Sequence, residues 1–166
     1  MEEWRDWDIG HIIEEYSATI YKIAFTRLKN RQDADDVFQD VFLKYALANK
    51  NFNDSEHLKA WLIRVTINCC NKKFHTKNYL PLDYCNEPFY EKFDVEKKTV
   101  FDGIMSLSIK QRTALFLFYY EDHSIKQISQ AMNVSQNNAK IILLRARNKL
   151  KEVLKKDLFL ENDENE

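Results

Sequence analysis

The most regular feature of the amino-acid sequence is the recurrence of apolar residues every three or four positions, as on one face of an amphipathic helix. Residues that cap helix starts precede two of the apolar stretches in the first half, Asn30 and the run Asn53–Ser55. The pattern predicts three helices before about His75. The first apolar stretch consists of Ile9, Ile12, Ile13, Tyr16, Ile20, Ile23, Ala24 and Leu28; the second of Ala34, Val37, Phe38, Val41, Phe42 and Tyr45; the third of Leu58, Trp61, Leu62, Val65 and Cys69.

The second half has the same helical spacing and more explicit start signals. Ser108–Gln111 and Ser124–Gln127 both have the Ser-x-x-Gln pattern of a capping box. The stretch Tyr79–Glu96 holds both prolines and has no apolar period, which is typical of a linker. We therefore predict an all-α fold of two small helical domains, residues 1–76 and 98–157, joined by a flexible linker at 77–97 and followed by an acidic tail at 158–166.

Ser124 to Lys151 has the pattern of a helix-turn-helix. A short helix is followed by a turn at Met132–Val134, and Ser135 can cap a longer second helix. Asn133 stands in the turn, where asparagine tolerates the left-handed backbone conformation better than most residues. The second helix is suited to the major groove of DNA, with polar side chains facing base edges and basic ones facing phosphates.

Charge supports DNA binding once it is divided by segment. The 166 residues carry 25 Lys and Arg against 26 Asp and Glu, and this net charge of -1, taken alone, argues against a nucleic-acid partner. However, Lys126–Lys156 holds eight basic residues against Glu152 alone, and His57–Asn78 holds five with no acid. Such local excess is the expected footprint of phosphate contact. In the third helix, one exposed stripe opposite Trp61 carries base-reading residue types: Arg64, Asn68, Asn71 and His75.

The second helix has the opposite sign, with Asp33, Asp36 and Asp40 at helical spacing. A metal or acid–base site there would need converging ligands, for which only Glu14 and Glu15 are nearby. An acidic patch for a basic protein partner is the better interpretation.

Other classes of protein are disfavoured by composition. Two Gly and two Pro are too few for the turns of an all-β sandwich, and no glycine-rich phosphate-binding motif is present. No apolar run is long enough for a membrane span, and the acidic start Met1–Glu3 is unlike a signal peptide, so we expect a cytoplasmic protein without membrane insertion. Cys69, Cys70 and Cys85 form no CxxC pair, which favours reduced thiols over disulfides or zinc.

Taken in order, these features resemble an RNA polymerase sigma factor of the extracytoplasmic-function (ECF) type. The resemblance covers Ile12–Phe74 and Ile104–Lys155. IYKIAFTRLKNRQDADDVFQDVFLK is similar to the family's first conserved segments, and HLKAWLIRVTINCCNKK to its promoter-melting, minus-ten-reading helix. Ser124–Leu154, ending in LLRARNKLKEVL, resembles the minus-thirty-five-reading helix-turn-helix.

The resemblance implies a non-catalytic protein with no cofactor or metal. Its implied partners are core RNA polymerase, through the β′ clamp helices and the β flap, promoter DNA, and an anti-sigma factor. The loop Asn49–Glu56 would receive a flipped-out base. The implied polymerase-binding residues are Asp33, Asp36, Gln39, Asp40 and Leu43; the minus-ten residues are Asn53, Arg64, Asn68, Asn71, Lys72 and Lys73; the minus-thirty-five residues are Ser135, Gln136, Asn137, Asn138, Lys140, Ile141, Leu144, Arg145 and Arg147.

Three alternatives remain open. The chain could be a stand-alone helix-turn-helix regulator with an N-terminal sensing domain, or an enzyme that uses the carboxylates of Asp33–Asp40. It could also be a sigma-like protein without promoter recognition, because Ile141, Ile142 and Leu144 stand where the family often has basic or small polar residues. Ile141 and Leu144 could instead contact thymine methyl groups.

Overall fold

The computed structural model describes residues 8–76 and 95–163, with side chains described for 8–75 and 100–156. Helices occupy most of these residues, and no strand occurs among them. The all-α prediction is confirmed. The helices are α1 Ile9–Leu28, α2 Arg31–Leu47, α3 Ser55–Thr76, α4 Val95–Met105, α5 Ile109–Tyr119, α6 Ile125–Met132 and α7 Gln136–Asp163.

The chain divides into two compact units, one built on α1 to α3 and the other on α4, α5, α7 and the first five residues of α6. Most of the predicted linker, residues 77–94, lies outside the described residues. The helix α4 begins at Val95, two residues before the predicted end of the linker at residue 97. The backbone of α7 is helical to Asp163, so the helix extends into the residues predicted to form the acidic tail.

The predicted capping residues hold the helix starts. Asn30 Oδ1 accepts a hydrogen bond from the Asp33 N–H (3.1 Å), and Asp54 Oδ1 accepts one from the His57 N–H (2.7 Å). Both Ser-x-x-Gln sequences form reciprocal capping boxes; at Ser124 the two bonds with Gln127 are 2.8 and 3.1 Å long. These bonds satisfy backbone N–H groups that the first helical turn leaves without partners.

The core of the first unit lies where α1, α2 and α3 meet. The third helix buries a wider arc than one stripe, because it packs against both other helices; Ile63, Thr66 and Ile67 are buried although the spacing did not predict them. Trp61 is half-buried instead of inward-facing. The fully covered large side chains of this core are Ile12, Ile20, Ile23, Leu28, Leu58, Leu62 and Ile63.

The second unit packs α4 and α5 against α7. Its predicted turn is confirmed: Asn133 ends α6 with φ 54° and ψ 51°, in the left-handed region. The Val134 N–H then donates to the Ser129 carbonyl (3.0 Å), a bond typical of a Schellman motif. Ser135 Oγ accepts from the Asn138 N–H (3.1 Å) and starts α7 in a new direction. The turn therefore fixes where the second helix of the motif begins.

Candidate nucleic-acid interface

The face of α7 that points away from the core begins directly after this turn. Ala139, Leu143 and Ala146 are buried on the inner face. The residues predicted to read the minus-thirty-five element are all exposed and lie between the residue that caps α7 and the start of its fourth turn. They are Ser135, Gln136, Asn137, Asn138, Lys140, Ile141, Leu144, Arg145 and Arg147.

Arg147 differs from the other exposed residues of α7 because it is held by α5. Its Nε donates to the Tyr119 hydroxyl (3.1 Å), and its guanidinium lies 4.6 Å from the Phe118 ring centroid. Cation–π contact of this kind fixes the long side chain against the neighbouring helix. In the structure, Arg147 therefore helps to pack α7 against α5. Its contact with a phosphate stays a prediction.

The third helix presents Arg64, Asn68, Asn71 and Lys72 to solvent, together with His75. Asn71 has a structural partner that the sequence did not reveal. Its Oδ1 accepts a 2.6 Å hydrogen bond from Nη2 of Arg27, whose side chain is buried in the core of the first unit. Burial lowers the pKa of Arg27 because a charged group loses hydration, and the Cys70 thiol partly offsets this effect.

Lys73 is also engaged within the fold. Its Nζ lies 3.1 Å from Asp36 Oδ2 and 3.9 Å from Asp33 Oδ1. A residue predicted to contact DNA is therefore paired with two residues predicted to contact polymerase. The Asp33 side chain is only 17% exposed, against 51% for Asp36, so Asp33 is the less accessible of the two.

An aromatic cluster anchors the loop between α2 and α3. Phe52 is buried, with its ring centroid 5.5 Å from that of Trp61, 6.3 Å from that of Tyr45 and 5.4 Å from that of His57. His57 Nδ1 accepts a hydrogen bond from the Asn53 N–H (3.2 Å). The cluster holds the backbone of this loop while the Asn53 side chain stays at the surface.

The outward face of α2 is acidic and apolar together. Asp36, Gln39 and Asp40 are exposed there, and Leu43 is 58% exposed. Leu47, one turn later, is 76% exposed and was missing from the predicted site. The sequence could have indicated Leu47, because it lies four residues after Leu43 and outside the inward-facing stripe of the helix. We call Asp36, Gln39, Asp40, Leu43 and Leu47 the acidic–apolar face.

A groove of about 550 Å³ lies on the second unit between α4, the end of α5 and α7. Its floor is apolar, whereas basic side chains of α7 stand at its rim. The apolar lining consists of Val100, Ile104, Leu115, Tyr119, Tyr120, Leu150 and Leu154, and the basic residues are Arg147, Lys151 and Lys155. The sequence did not predict this groove, since its lining comes from three separate helices.

We also searched the described residues for metal-binding groups and reactive thiols. No group of three or more His, Cys, Asp or Glu there could hold a metal ion. Cys69 and Cys70 are buried and free of disulfides. Burial raises the pKa of the Cys70 thiol, and nearby Arg27 offsets part of this rise; the resulting pKa is about 12. Across the same residues, no helix has the length and apolar character needed to cross a membrane.

Comparison with known proteins shows two family matches in the order of the two units. Residues 12–78 match Sigma-70 region 2, and residues 102–150 match Sigma-70, region 4. The ECF RNA polymerase sigma factor SigM of Bacillus subtilis is 30% identical over 152 residues, which cover 86% of this chain and 93% of that protein. The RNA polymerase sigma factor SigZ of the same organism is 29% identical over 143 residues, covering 82% and 81%.

Two solved structures share the fold. The sigma factor RpoE from Bartonella quintana, solved in complex with the anti-sigma factor NepR, matches with a TM-score of 0.75 at 20% identity, over 89% of this chain and 97% of that chain. CnrH, solved in complex with the cytosolic domain of CnrY, matches with a TM-score of 0.65 at 21% identity, over 90% of this chain and 88% of that chain.

Proposed function

The chain belongs to the ECF group of the sigma-70 family of RNA polymerase sigma factors, and we propose a division of its promoter-directing function among the surfaces described above. As a sigma factor it binds core RNA polymerase and directs initiation at specific promoters. Its partners are core polymerase and promoter DNA. Its role is binding, and we assign it no reaction; its place of action is the cell interior, with the polymerase.

The acidic–apolar face of α2 is assigned to the β′ clamp helices of the polymerase. Exposed Leu43 and Leu47 supply apolar area, and Asp36 and Asp40 supply charge that selects a basic partner. Asp33 is assigned to positioning Lys73 and not to direct contact with the polymerase, because its side chain is largely covered. The observation that carries the proposal is this combination of exposed leucines and carboxylates on one helix face, beside a helix with a basic, amide-bearing face.

The exposed face of α3 and the loop after α2 are assigned to the minus-ten element. Asn68 is the best candidate for a base contact, with Arg64 and Lys72 on the backbone and Asn53 at the loop. Asn71 is assigned a supporting role because Arg27 engages its amide oxygen. Unstacking a base costs a few kcal/mol, and the cost is least where the DNA is already single-stranded.

The outward face of α7 is assigned to the minus-thirty-five element, and the apolar groove of the second unit to the β flap. An amphipathic segment with apolar residues inward and acids outward fits an apolar floor with a basic rim. The stand-alone regulator is not favoured, since the first unit matches Sigma-70 region 2 over residues 12–78 and leaves little of that half for a sensing domain.

We assign an anti-sigma factor as a further partner of this chain. The support is that RpoE was solved bound to one and that the fold is shared over 89% of this chain. Such a protein would compete for the acidic–apolar face or the groove, the two surfaces with exposed apolar residues.

In-vitro transcription tests the proposed function. Core RNA polymerase is mixed with a bacterial genomic promoter library, with and without the purified chain. We expect a discrete set of start sites that depends on the chain. Transcripts that are identical with and without it would contradict the function. A gel shift with the chain alone on the same promoters separates a sigma factor from a regulator that binds duplex DNA unaided.

A further inference from the structure

Two exposed apolar side chains lie at the centre of the outward face of α7. Ile141 is 45% exposed and Leu144 is 58% exposed. At about 3.6 residues per turn, positions 137, 141, 144 and 148 follow one another along one line of the helix. That line is opposite the buried Ala139, Leu143 and Ala146. The two apolar residues therefore lie on the face that such a helix turns towards the base edges when it enters the major groove.

We propose that Ile141 and Leu144 are specificity residues that read thymine through its 5-methyl group, so that the minus-thirty-five element of this sigma factor contains thymine opposite them. The proposal deepens the assignment of α7 to that element and rests on it. Among the four bases only thymine presents a methyl group in the major groove, and apolar side chains recognise it by contact. Isoleucine and leucine have no polar atom with which to select guanine, adenine or cytosine.

The surroundings of the pair favour DNA over a protein partner. Asn137 and Asn148 stand on the same line, while Lys140 and Arg145 flank it, and all four are exposed. Residues 136–151 carry five basic side chains and no acid. A two-residue apolar patch framed by amides and cations matches one or two thymines lying between rows of phosphates. It is small for a protein interface, which draws on a larger buried core.

The test compares thymine with uracil, which lacks only the 5-methyl group. Holoenzyme assembled from the full chain and core polymerase first selects duplexes from a library with a randomised minus-thirty-five region. The selected duplex is then synthesised with deoxyuridine at each thymine in turn, and affinity is measured. We expect one or two positions where uracil weakens binding about three- to fivefold, since one buried methyl group contributes about 0.8 kcal/mol.

Variants identify the residues responsible. In the variant Ile141→Ser, we expect the preference for thymine over uracil to disappear at one of these positions. We expect the same of Leu144→Ser. Lys140→Ala is the matched control: it should weaken both duplexes alike and keep their ratio, as expected for a phosphate contact. Circular dichroism melting checks that the variants fold.

Three results would overturn the proposal. One is equal affinity of the wild-type holoenzyme for thymine and uracil at every position, and another is a ratio that survives both serine substitutions. The third is loss of holoenzyme assembly in the serine variants without a thymine effect, which would assign the face to a protein. These outcomes leave the proposed function intact, whereas failure to select any duplex would contradict the function itself.

Discussion

The ammonium group of Lys73 on α3 lies 3.1 Å from a carboxylate oxygen of Asp36 on α2. This ion pair joins the helix assigned to the minus-ten element to the helix assigned to the polymerase. Both side chains are partly exposed, so the pair contributes little to stability, on the order of 0–1 kcal/mol. Each residue can therefore be replaced without unfolding the unit, which makes the two surfaces separately testable.

The acidic–apolar face is tested by Asp36→Lys. We expect core-polymerase affinity to fall by at least about tenfold, because a cation replaces an anion opposite a basic partner. Fluorescence anisotropy of labelled chain titrated with core polymerase measures the effect. Glu14→Lys is the control, since it makes the same charge change at an exposed position of the same unit, on α1 and outside the acidic–apolar face. Equal losses in the two variants would contradict the assignment.

The hydrogen bond between Arg27 and Asn71 predicts a stability effect. Asn71→Ala removes the acceptor of a 2.6 Å bond from a buried guanidinium and should lower the free energy of unfolding by about 1–3 kcal/mol. Asn68→Ala, on the same exposed face, should change it by less than about 0.5 kcal/mol while reducing open-complex formation. Urea denaturation and permanganate footprinting separate the two effects. The assignment of both residues is wrong if Asn68→Ala is the destabilising substitution.

Salt dependence distinguishes Arg64 from Lys73. We expect Arg64→Ala to reduce the slope of log affinity against log salt for the minus-ten strand by about 0.7, as for one lost phosphate contact on single-stranded DNA. Lys73→Ala should leave the slope nearly unchanged, because its ammonium faces Asp36 and Asp33. Binding of holoenzyme to a minus-ten oligonucleotide at several salt concentrations measures both. A larger change for Lys73→Ala would show that it leaves its carboxylate partners to contact DNA.

The buried thiol of Cys70 predicts a loss of stability in alkali. Its pKa is raised from 9.0 to about 12 in the folded state, so above pH 9 only the unfolded chain readily loses this proton. Deprotonation then favours unfolding, and the free energy of unfolding falls as the pH rises from about 9 towards 12. Cys70→Ala should flatten this part of the curve relative to the wild type. Urea denaturation across this range measures the difference, and parallel curves would contradict the prediction.

Local chemistry explains which parts of the fold the sequence predicted. The caps at Asn30, Ser108 and Ser124 and the turn at Asn133 depend on residues within a few positions of one another, and all four agree with the structure. The helical period also predicted most of the core, because burial follows spacing on a helix.

Contacts between distant residues explain what was missed at the candidate site. Asn71 looked like an amide that contacts DNA bases because its partner, Arg27, lies 44 positions earlier. In the sequence alone, Arg27 resembles an ordinary basic residue of the surface. Lys73 looked like a phosphate ligand because Asp36 is 37 positions away. Neither pairing leaves a periodic signal, and each depends on how α3 packs against α1 and α2.

The groove of the second unit has a pharmacological consequence. Its volume of about 550 Å³ and apolar floor are within the range of pockets that bind drug-sized molecules. A compound that filled it would compete with the polymerase segment assigned there and leave the catalytic centre of the enzyme untouched. Such a compound would silence the genes served by this one initiation factor while the cell continued to transcribe the rest.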